Sequence, residues 1–320
     1  MATVQFVTTD VFTQTPYLGN PLAIVRLPAS IKLSQAQKQA IAREFNLSET
    51  VILHESEEAL AKSEWTADIF ITTAEIPLAG HPLIGTSCYL GRTLQPAAAS
   101  ATVKGTLNTK AGAVGFEYNS ATGSAAASIP HNVHIHDRKF GPEHGLAHDL
   151  HPHVAKAIVK PAPFVSIVPG MTFCLVEVPD LDTLGKVRTP LKEVCGQGLN
   201  RDFFHDGFVG FFFYCRQGER DGVIHLRTRM ISGTEEDPAT GSASSALAVF
   251  LALTEVKQPV QRFALTQAVE IGRQSDIGVE VTLDGSASRV DKVVLSGSAV
   301  AITHGSIVIP PVGSAKQALQ

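Results

Sequence analysis

Residues 234–252 read TEEDPATGSASSALAVFLA, an acidic turn followed directly by a run of small and apolar residues. Pro238 prevents a helix from running through the turn, while Thr240 and Ser242 are favourable N-cap residues. We therefore predict that a buried helix begins at this point. Its first turn has free N–H groups and the positive end of the helix dipole, and small side chains there predict a binding site for an anion at Thr240, Gly241 and Ser242.

Asp237 lies one turn before the predicted anion site. A carboxylate beside such a site is unfavourable for binding the anion but is able to move a proton on the bound molecule. We therefore regard Asp237 as a candidate acid/base residue, with a purely structural interaction with the helix dipole as the alternative.

A similar pattern occurs in the first half of the chain, where residues 75–94 read EIPLAGHPLIGTSCYLGRTL. Pro77 and the small pair before His81 precede a second helix of small and apolar residues, and Gly80 is a candidate for close approach to a ligand. The two copies are about 160 residues apart, too far for a solenoid repeat, and predict two similar domains that face each other across a cleft.

Composition is that of an ordinary globular protein. The chain has 320 residues, 44% of them hydrophobic and 18% charged, which predicts two domains. A net charge of −4 gives no reason to expect nucleic acid or an anionic membrane as a partner. The N-terminal residues lack the pattern of a signal peptide and no long apolar stretch occurs, so we expect a cytoplasmic location. Four cysteines lack CxxC spacing, which argues against zinc and against a disulfide framework.

Strands and helices alternate irregularly along both halves. Alternating or apolar runs predict strands at 4–12 and 22–27, and Ser34 is expected to cap a helix over 34–45. The pattern lapses from about 128 to 160, which we interpret as the connection between domains. The prediction is an α+β protein with two pseudosymmetric domains, 1–128 and 129–320, each a curled, mostly antiparallel sheet around a central helix. The last residues are candidates for a return to the first domain.

Seven histidines between 131 and 153 suggest a metal site, but prolines and glycines break this stretch into loops. A polar linker is therefore favoured over a metal site, and we predict none. The sequence contains no P-loop or GxGxxG motif and no marked lysine for pyridoxal phosphate, so no cofactor is expected. These histidines are His131, His134, His136, His144, His148, His151 and His153.

Five blocks of the sequence together resemble the PhzF-like family of isomerases related to phenazine biosynthesis, in order and in spacing. This resemblance covers nearly the whole chain and implies a diaminopimelate-epimerase-like fold and a homodimer. The blocks are DVFTQTPYLGNPLAIV (10–25), NLSETVIL (46–53), TTAEIPLAGHPLIGT (72–86), EEDPATGSASSAL (235–247) and the tail LTQAVEIGR…KVVLSGSAVAITHG (265–304).

The resemblance also assigns roles to residues. It places the acid/base glutamate at Glu49, the histidine of the GH block at His81 and the aspartate of the DPATGS block at Asp237. Backbone N–H groups and the serine of the pair Gly241-Ser242 would hold a substrate carboxylate. Asn20 is a turn residue first and a candidate hydrogen-bonding residue second.

The residue types fit proton transfer without reference to any family. Glu49 follows a short polar link, and a carboxyl enclosed there would have its pKa raised so that it could accept and return a proton. His81 at a helix N-terminus would favour the neutral form, as a donor or proton relay.

We therefore predict a cofactor-independent isomerase that acts on a small carboxylate-bearing metabolite. Two alternatives remain. One is an amino-acid racemase or epimerase of the same fold, which would need two facing cysteines, and the loops at 75–81 and 235–242 contain none. The other is a non-enzymatic binding protein that keeps the fold.

Overall fold

The computed structural model describes residues 1–94, 102–141, 152–158, 160–189, 191, 196–204 and 207–311. They form two compact units, one made of Met1–Ser128 with the chain from Ser296 onward, the other of Ile129–Leu295. Both consist mainly of β-sheet with a few helices, so the protein is α+β as predicted. Among the described residues, no helix is long and apolar enough to span a membrane.

Among its described residues, the first unit contains eight strands and three α-helices of its own. The strands are β1 (Thr3–Val11), β2 (Asn20–Pro28), β3 (Thr50–Glu55), β4 (Glu64–Phe70), β5 (Glu75–Ile76), β6 (Thr102–Thr109), β7 (Gly112–Asn119) and β8 (Ser124–Ser128). The helices are α1 (Gln35–Phe45), α2 (Glu57–Lys62) and α3 (Gly80–Thr93).

In the part of the second unit that the structure describes, there are three more α-helices and nine strands, the last of which continues into the first unit. The strands are β9 (His134–Phe140), β10 (Ala162–Val168), β11 (Met171–Glu177), β12 (Phe208–Arg220), β13 (Val223–Ser232), β14 (Glu235–Asp237), β15 (Val260–Gln267), β16 (Ser275–Leu283) and β17 (Val290–Val308). The helices are α4 (Pro152–Ala157), α5 (Leu181–Gly185) and α6 (Gly241–Leu251).

The sheet of the first unit closes into a barrel. Strands β1 and β2 are antiparallel, β2 and β3 parallel, β3 and β4 antiparallel, and β4 and β6 parallel. Strands β6, β7 and β8 continue antiparallel. Strand β17 pairs with both β1 and β8, so the sheet is a closed eight-stranded barrel.

Helix α3 fills the interior of this barrel. It contacts β1, β2, β3, β6, β7 and β8, and most of its side chains are buried. Its glycines show how little room there is: a Cβ atom at Gly91 would lie 2.2 Å from Cγ of Tyr118, and one at Gly85 would lie 2.6 Å from Cδ2 of Leu22. The predicted preference for small residues in the central helix therefore has a steric cause.

The second unit repeats the strand order of the first. Strands β10 and β11 are antiparallel, β11 and β12 parallel, β12 and β13 antiparallel, β13 and β15 parallel, and β15 and β16 antiparallel. Helix α6 packs against β10, β11 and β16 and is almost entirely buried. In both units a short strand, β5 or β14, pairs with the preceding strand and leads directly into the central helix.

The interpretation of 128–160 as a connection without regular structure was wrong for residues 134–140. These residues form β9, which pairs with β10. His136 is buried there: its Nδ1 accepts a hydrogen bond from the backbone N–H of Asn200 at 3.0 Å, and its Nε2 contacts Oγ of Ser166 at 2.8 Å. Because both of its ring nitrogens have hydrogen-bond partners, this polar residue can be buried within a strand.

Among the described residues, no three histidine, cysteine or acidic side chains converge as a metal site. The structure describes His131, His134 and His136, and each of these three forms hydrogen bonds or ring contacts. His144, His148 and His151 lie outside the described residues, as does the side chain of His153.

We expect Gly91→Ala to destabilise the protein. Alanine gains about 1 kcal/mol in helix propensity, but three atoms of the buried Tyr118 would lie within 2.5 Å of the new Cβ, so we expect an overpacking cost of about 2–3 kcal/mol, the upper part of the usual range. The melting temperature should fall by roughly 2–6 °C in differential scanning fluorimetry. The control is Gly185→Ala, because a Cβ at this helical glycine meets nothing within 4 Å. An unchanged melting temperature for Gly91→Ala would contradict the tight enclosure of α3.

Candidate active site

Glu49 is positioned by the end of α1. The helix begins with a capping box between Ser34 and Gln37, and it ends at Asn46, whose φ of 50° is left-handed. Asparagine tolerates this conformation better than most residues and ends the helix there. A short link then leads to β3, which begins at Thr50, so that Glu49 is held immediately before a buried strand.

Glu49 and His81 lie beside each other. His81 is the second residue of α3 and is only 4% exposed, and its Nδ1 is 3.6 Å from Oε2 of Glu49. This separation is too long for a hydrogen bond but short enough for a strong electrostatic interaction once a proton is transferred. Burial raises the pKa of Glu49 above its usual value of 4.5, and a hydrogen bond from Ser48 partly opposes the shift.

Two more polar residues surround this pair. Asn20 is the first residue of β2 and is buried, and Oγ of Ser48 donates to its Oδ1 at 3.4 Å. Gly80 begins α3, directly before His81. We call Asn20, Ser48, Glu49, Gly80 and His81 the first half-site. Ser48 was not among the predicted site residues, although it lies within the NLSET block.

Asp237 ends β14 and accepts two hydrogen bonds from the turn that follows. Its Oδ1 accepts from the backbone N–H of Ala239 at 3.3 Å, and its Oδ2 accepts from Oγ1 of Thr240 at 2.6 Å. Thr240 occupies the N-cap position of α6, but its hydroxyl does not cap the helix. Thr240 is thus the N-cap residue that the sequence pattern favoured, but its hydroxyl donates to Asp237 and accepts from Nε2 of Gln267 instead of capping a helix N–H.

Helix α6 begins at Gly241, in agreement with the sequence pattern. Its first backbone bond runs from the N–H of Ser244 to the carbonyl of Thr240 at 3.0 Å. The N–H groups of Gly241, Ser242 and Ala243 precede this bond and have no carbonyl partner within their own helix. We call Asp237, Thr240, Gly241, Ser242 and Gln267 the second half-site.

Gln267 is a site residue that the sequence analysis missed. It is fully buried at the end of β15. Its Oε1 accepts from the backbone N–H of Thr240 at 3.2 Å, and its Nε2 donates to the carbonyl of Asp237 at 2.8 Å and to Oγ1 of Thr240 at 3.0 Å. The available signal was a polar residue on the inward face of β15, which also presents Gln261, Phe263 and Leu265 to the interior.

A buried ion pair anchors the strand that carries Asp237. Arg229 donates from Nε and Nη2 to the two carboxylate oxygens of Glu236, at 2.8 and 2.6 Å. Its Nη1 donates to the carbonyls of Leu184 and Val187, at 2.9 and 2.8 Å. Both charged side chains are about 5% exposed. Because every polar group of this pair has partners, it can fix β14 in place without leaving an unpaired buried charge.

The described cysteines are buried and poorly suited to act as bases. Cys88, Cys174 and Cys215 are free thiols, and burial raises the pKa of Cys88 to about 11. A thiol must ionise to act as a base or nucleophile, which burial disfavours. Cys195 lies outside the described residues.

The raised pKa of Glu49 predicts how stability depends on pH. A carboxyl whose folded-state pKa lies above its unfolded value destabilises the fold when ionised, and this penalty disappears as pH falls through the folded pKa towards 4.5. We therefore expect Glu49→Gln to raise the melting temperature at pH 8 and to lose this advantage near pH 4.

The matched control is Glu44→Gln, which changes an exposed glutamate near the end of α1. Its melting temperature should differ from that of the parent by the same small amount at both pH values. A Glu49→Gln variant that is no more stable than the parent at pH 8 would contradict the buried, weakly acidic carboxyl.

Comparison with known proteins identifies relatives over nearly the whole chain. The family model described as phenazine biosynthesis-like protein, PhzC-PhzF, matches residues 9–305. Trans-2,3-dihydro-3-hydroxyanthranilate isomerase of Pseudomonas fluorescens is 31% identical over 95% of this chain and 99% of its own length.

Solved structures show the same relationship. A PhzF-family phenazine biosynthesis protein of Bacillus anthracis superposes with a TM-score of 0.76 at 25% identity, covering 97% of this chain and all of that one. A probable proline racemase of Agrobacterium radiobacter superposes with a TM-score of 0.60 at 14% identity, over 97% of this chain and 94% of its own, and shows the shared fold alone. The chain therefore belongs to the PhzF family of phenazine biosynthesis-like isomerases.

Proposed function

We propose that this isomerase moves a proton between carbon atoms of a small carboxylate-bearing metabolite by general acid/base catalysis, without a cofactor. The observation that carries the proposal is the pair formed by Glu49 and His81. A largely buried carboxyl with a raised pKa lies 3.6 Å from an imidazole at the start of the central helix. This is the arrangement of groups that proton transfer near neutral pH requires.

Glu49 is the proposed base. In its ionised form it removes a proton from a C–H bond of the substrate, and it then returns the proton to another carbon. Its raised pKa makes the protonated form easier to reach than in an exposed glutamate, which favours both steps. His81 would donate a hydrogen bond to the oxygen on which negative charge develops, or pass the proton on.

The start of α6 is the proposed binding site for the substrate carboxylate. The N–H groups of Gly241 and Ser242 lie at the positive end of a helix of 11 residues, and the Ser242 hydroxyl adds a further donor. Gln267 holds the backbone of Asp237 and Thr240 directly before these groups. The position of the proposed anion site is therefore fixed by a buried side chain as well as by the helix.

Asp237 is the proposed second acid/base group. Its Oδ2 accepts from the Thr240 hydroxyl at 2.6 Å, which holds the carboxylate directly before the start of α6. We propose that both half-sites act on one substrate molecule, with Glu49 and Asp237 as the two proton-transfer groups and Asn20 as a further hydrogen-bonding residue. The family resemblance supports the proposal of a homodimer, and the cytoplasmic location stays a prediction.

A racemase mechanism with two cysteine bases receives no support from the described residues. Cys88 is the cysteine nearest in sequence to the start of a central helix, but it is fully buried and its Sγ lies 3.7 Å from the carbonyl oxygen of Gly297. A buried thiol with a pKa of about 11 is a poor base at neutral pH.

We expect Glu49→Gln to abolish proton exchange while leaving substrate binding intact. Glutamine keeps the size and hydrogen bonding of the side chain but cannot accept the proton. The first compound to test is trans-2,3-dihydro-3-hydroxyanthranilate, the substrate named for the Pseudomonas fluorescens relative. In deuterium oxide, deuterium incorporation should fall by at least about 10²-fold, the usual scale for general acid/base catalysis.

Glu44→Gln serves as the control for this experiment, since it removes an exposed carboxylate five residues away. It should exchange deuterium at the parent rate. If Glu49→Gln also exchanges at the parent rate with any substrate that the protein turns over, Glu49 is not the base. If the first compound is not turned over, a panel of small unsaturated carboxylates is the next step.

We expect Asp237→Asn and Glu49→Gln to be coupled if both half-sites act on one molecule. Each single variant should slow turnover, and the double variant should lose much less than the product of the two factors, because groups that act as a unit are not additive. Turnover of the four proteins measured under single-turnover conditions gives the coupling. If the turnover rate of the double variant falls by the full product of the two single-variant factors, the two carboxylates act independently.

A further inference from the structure

A polar cavity lies in the second unit, on the face of β15 opposite to the buried Gln267. It has a volume of about 190 Å³ and is lined by side chains of β12, β13 and β15, including Gln217, Arg220, His225, Arg227, Ala264 and Thr266. We call it the strand-face cavity. None of these residues belongs to the proposed catalytic machinery.

The cavity lies on the outer face of the sheet. Along β13, Leu226 and Thr228 are buried towards the core, so the alternating residues His225 and Arg227 point to the opposite face. In the parallel register of β13 and β15, His225 is opposite Ala264 and Arg227 is opposite Thr266. The side chains of these four residues therefore share one face.

Two local features create the hollow. Strand β12 has an irregularity between Arg216 and Glu219, and Gly218 within it has a left-handed φ of 85°. Such a bulge turns side chains away from the regular alternation. Ala264 is paired with Gly278 of β16, and because neither residue has a large side chain, space remains above the sheet at this position.

The groups lining the cavity are mainly hydrogen-bond donors. Arg227 donates from Nη2 to Oε1 of Glu270 at 3.0 Å, but its Nε is buried and has no hydrogen-bond partner within the described part of the chain. Arg220 forms no ion pair with any described residue. Asp276, which accepts from Thr266 and Gln274, lies on the neighbouring strand and is not part of the lining.

A buried N–H without an acceptor is unfavourable, so an acceptor at this position would stabilise the structure. Of the guanidinium groups of Arg220 and Arg227, only that of Arg227 has a carboxylate partner among the described residues, Glu270, so one positive charge at the cavity remains without a counter-charge there. Guanidinium groups present paired donors that match the oxygens of phosphate and carboxylate groups. The volume corresponds to about six water molecules, which is sufficient for a tetrahedral oxyanion with a small organic substituent.

We propose that the strand-face cavity binds a phosphate group, either free inorganic phosphate or the phosphate of a small ester. Arg220 and Arg227 would supply the charge and the paired donors, and His225 and Gln217 would add further hydrogen bonds. The site is separate from the proposed carboxylate site at α6, and it does not depend on the proposed isomerase activity.

The test uses the ring signals of His225 in NMR spectra, because they report on this cavity and not on the start of α6. A His225→Gln variant assigns the signals. We titrate the intact protein with inorganic phosphate at constant ionic strength, and we expect a saturable shift. Arg220→Gln and Arg227→Gln should each weaken binding about tenfold or more, as loss of a charged donor predicts.

Arg262→Gln is the matched control. Arg262 is an exposed arginine on the same face of β15, paired with Glu280 and outside the cavity lining. It should leave the affinity for phosphate within about twofold of the parent value. Circular dichroism and melting temperature verify that each variant is folded. Because Arg220 is exposed, its replacement is the one expected to disturb the core least.

A parallel titration with phenyl phosphate distinguishes the two sources of the group. If phenyl phosphate competes with inorganic phosphate, the site accepts a phosphate ester. If only inorganic phosphate binds, the ligand is the free ion. Both results support the site. Absence of a saturable His225 shift with either probe would overturn the proposal. An equal loss of affinity in Arg262→Gln would also overturn it, since general surface charge would then explain the binding.

Discussion

Enclosure of a helix by a closed sheet is the constraint on which the rest of the structure depends. Eight strands leave an interior so narrow that α3 meets the barrel through glycines, with Gly91 against the ring of Tyr118 and Gly85 against Leu22. The buried helix begins just after β5, a short strand that pairs with β4 of the barrel. Its first turn consequently lies at a fixed point, and His81 on that turn is held beside Glu49, which precedes another strand of the same barrel.

The carboxyl groups of Glu49 and Asp237 have different surroundings. Glu49 is buried with little compensation, and burial raises its pKa. Asp237 accepts from Thr240 and Ala239, and Gln267 fixes its backbone. In the proposed mechanism, this difference in surroundings would give the two carboxyl groups different roles in proton transfer.

The sequence predicted the local elements around the site well. Ser34 caps α1, and α3 and α6 begin at the two glycine-containing motifs, as the spacing of Pro, Gly and small residues indicated. The sequence predictions departed from the structure where a polar side chain has hydrogen-bond partners that a local pattern would not have assigned to it. β9 contains a histidine that is tolerated because Ser166 and Asn200 satisfy it, and the hydroxyl of Thr240 bonds Asp237 instead of capping its helix.

The sequence by itself determined the α+β class, the two helix starts and the family, because proline, glycine and small-residue patterns act over a few neighbouring positions. Tertiary structure alone decided which distant groups meet. Gln267 reaches Asp237 and Thr240 across 27 or more positions, and the raised pKa of Glu49 arises from burial by residues that are remote in the chain. Burial and long-range hydrogen bonding depend on how strands are arranged in the barrel, and no local pattern contains that arrangement.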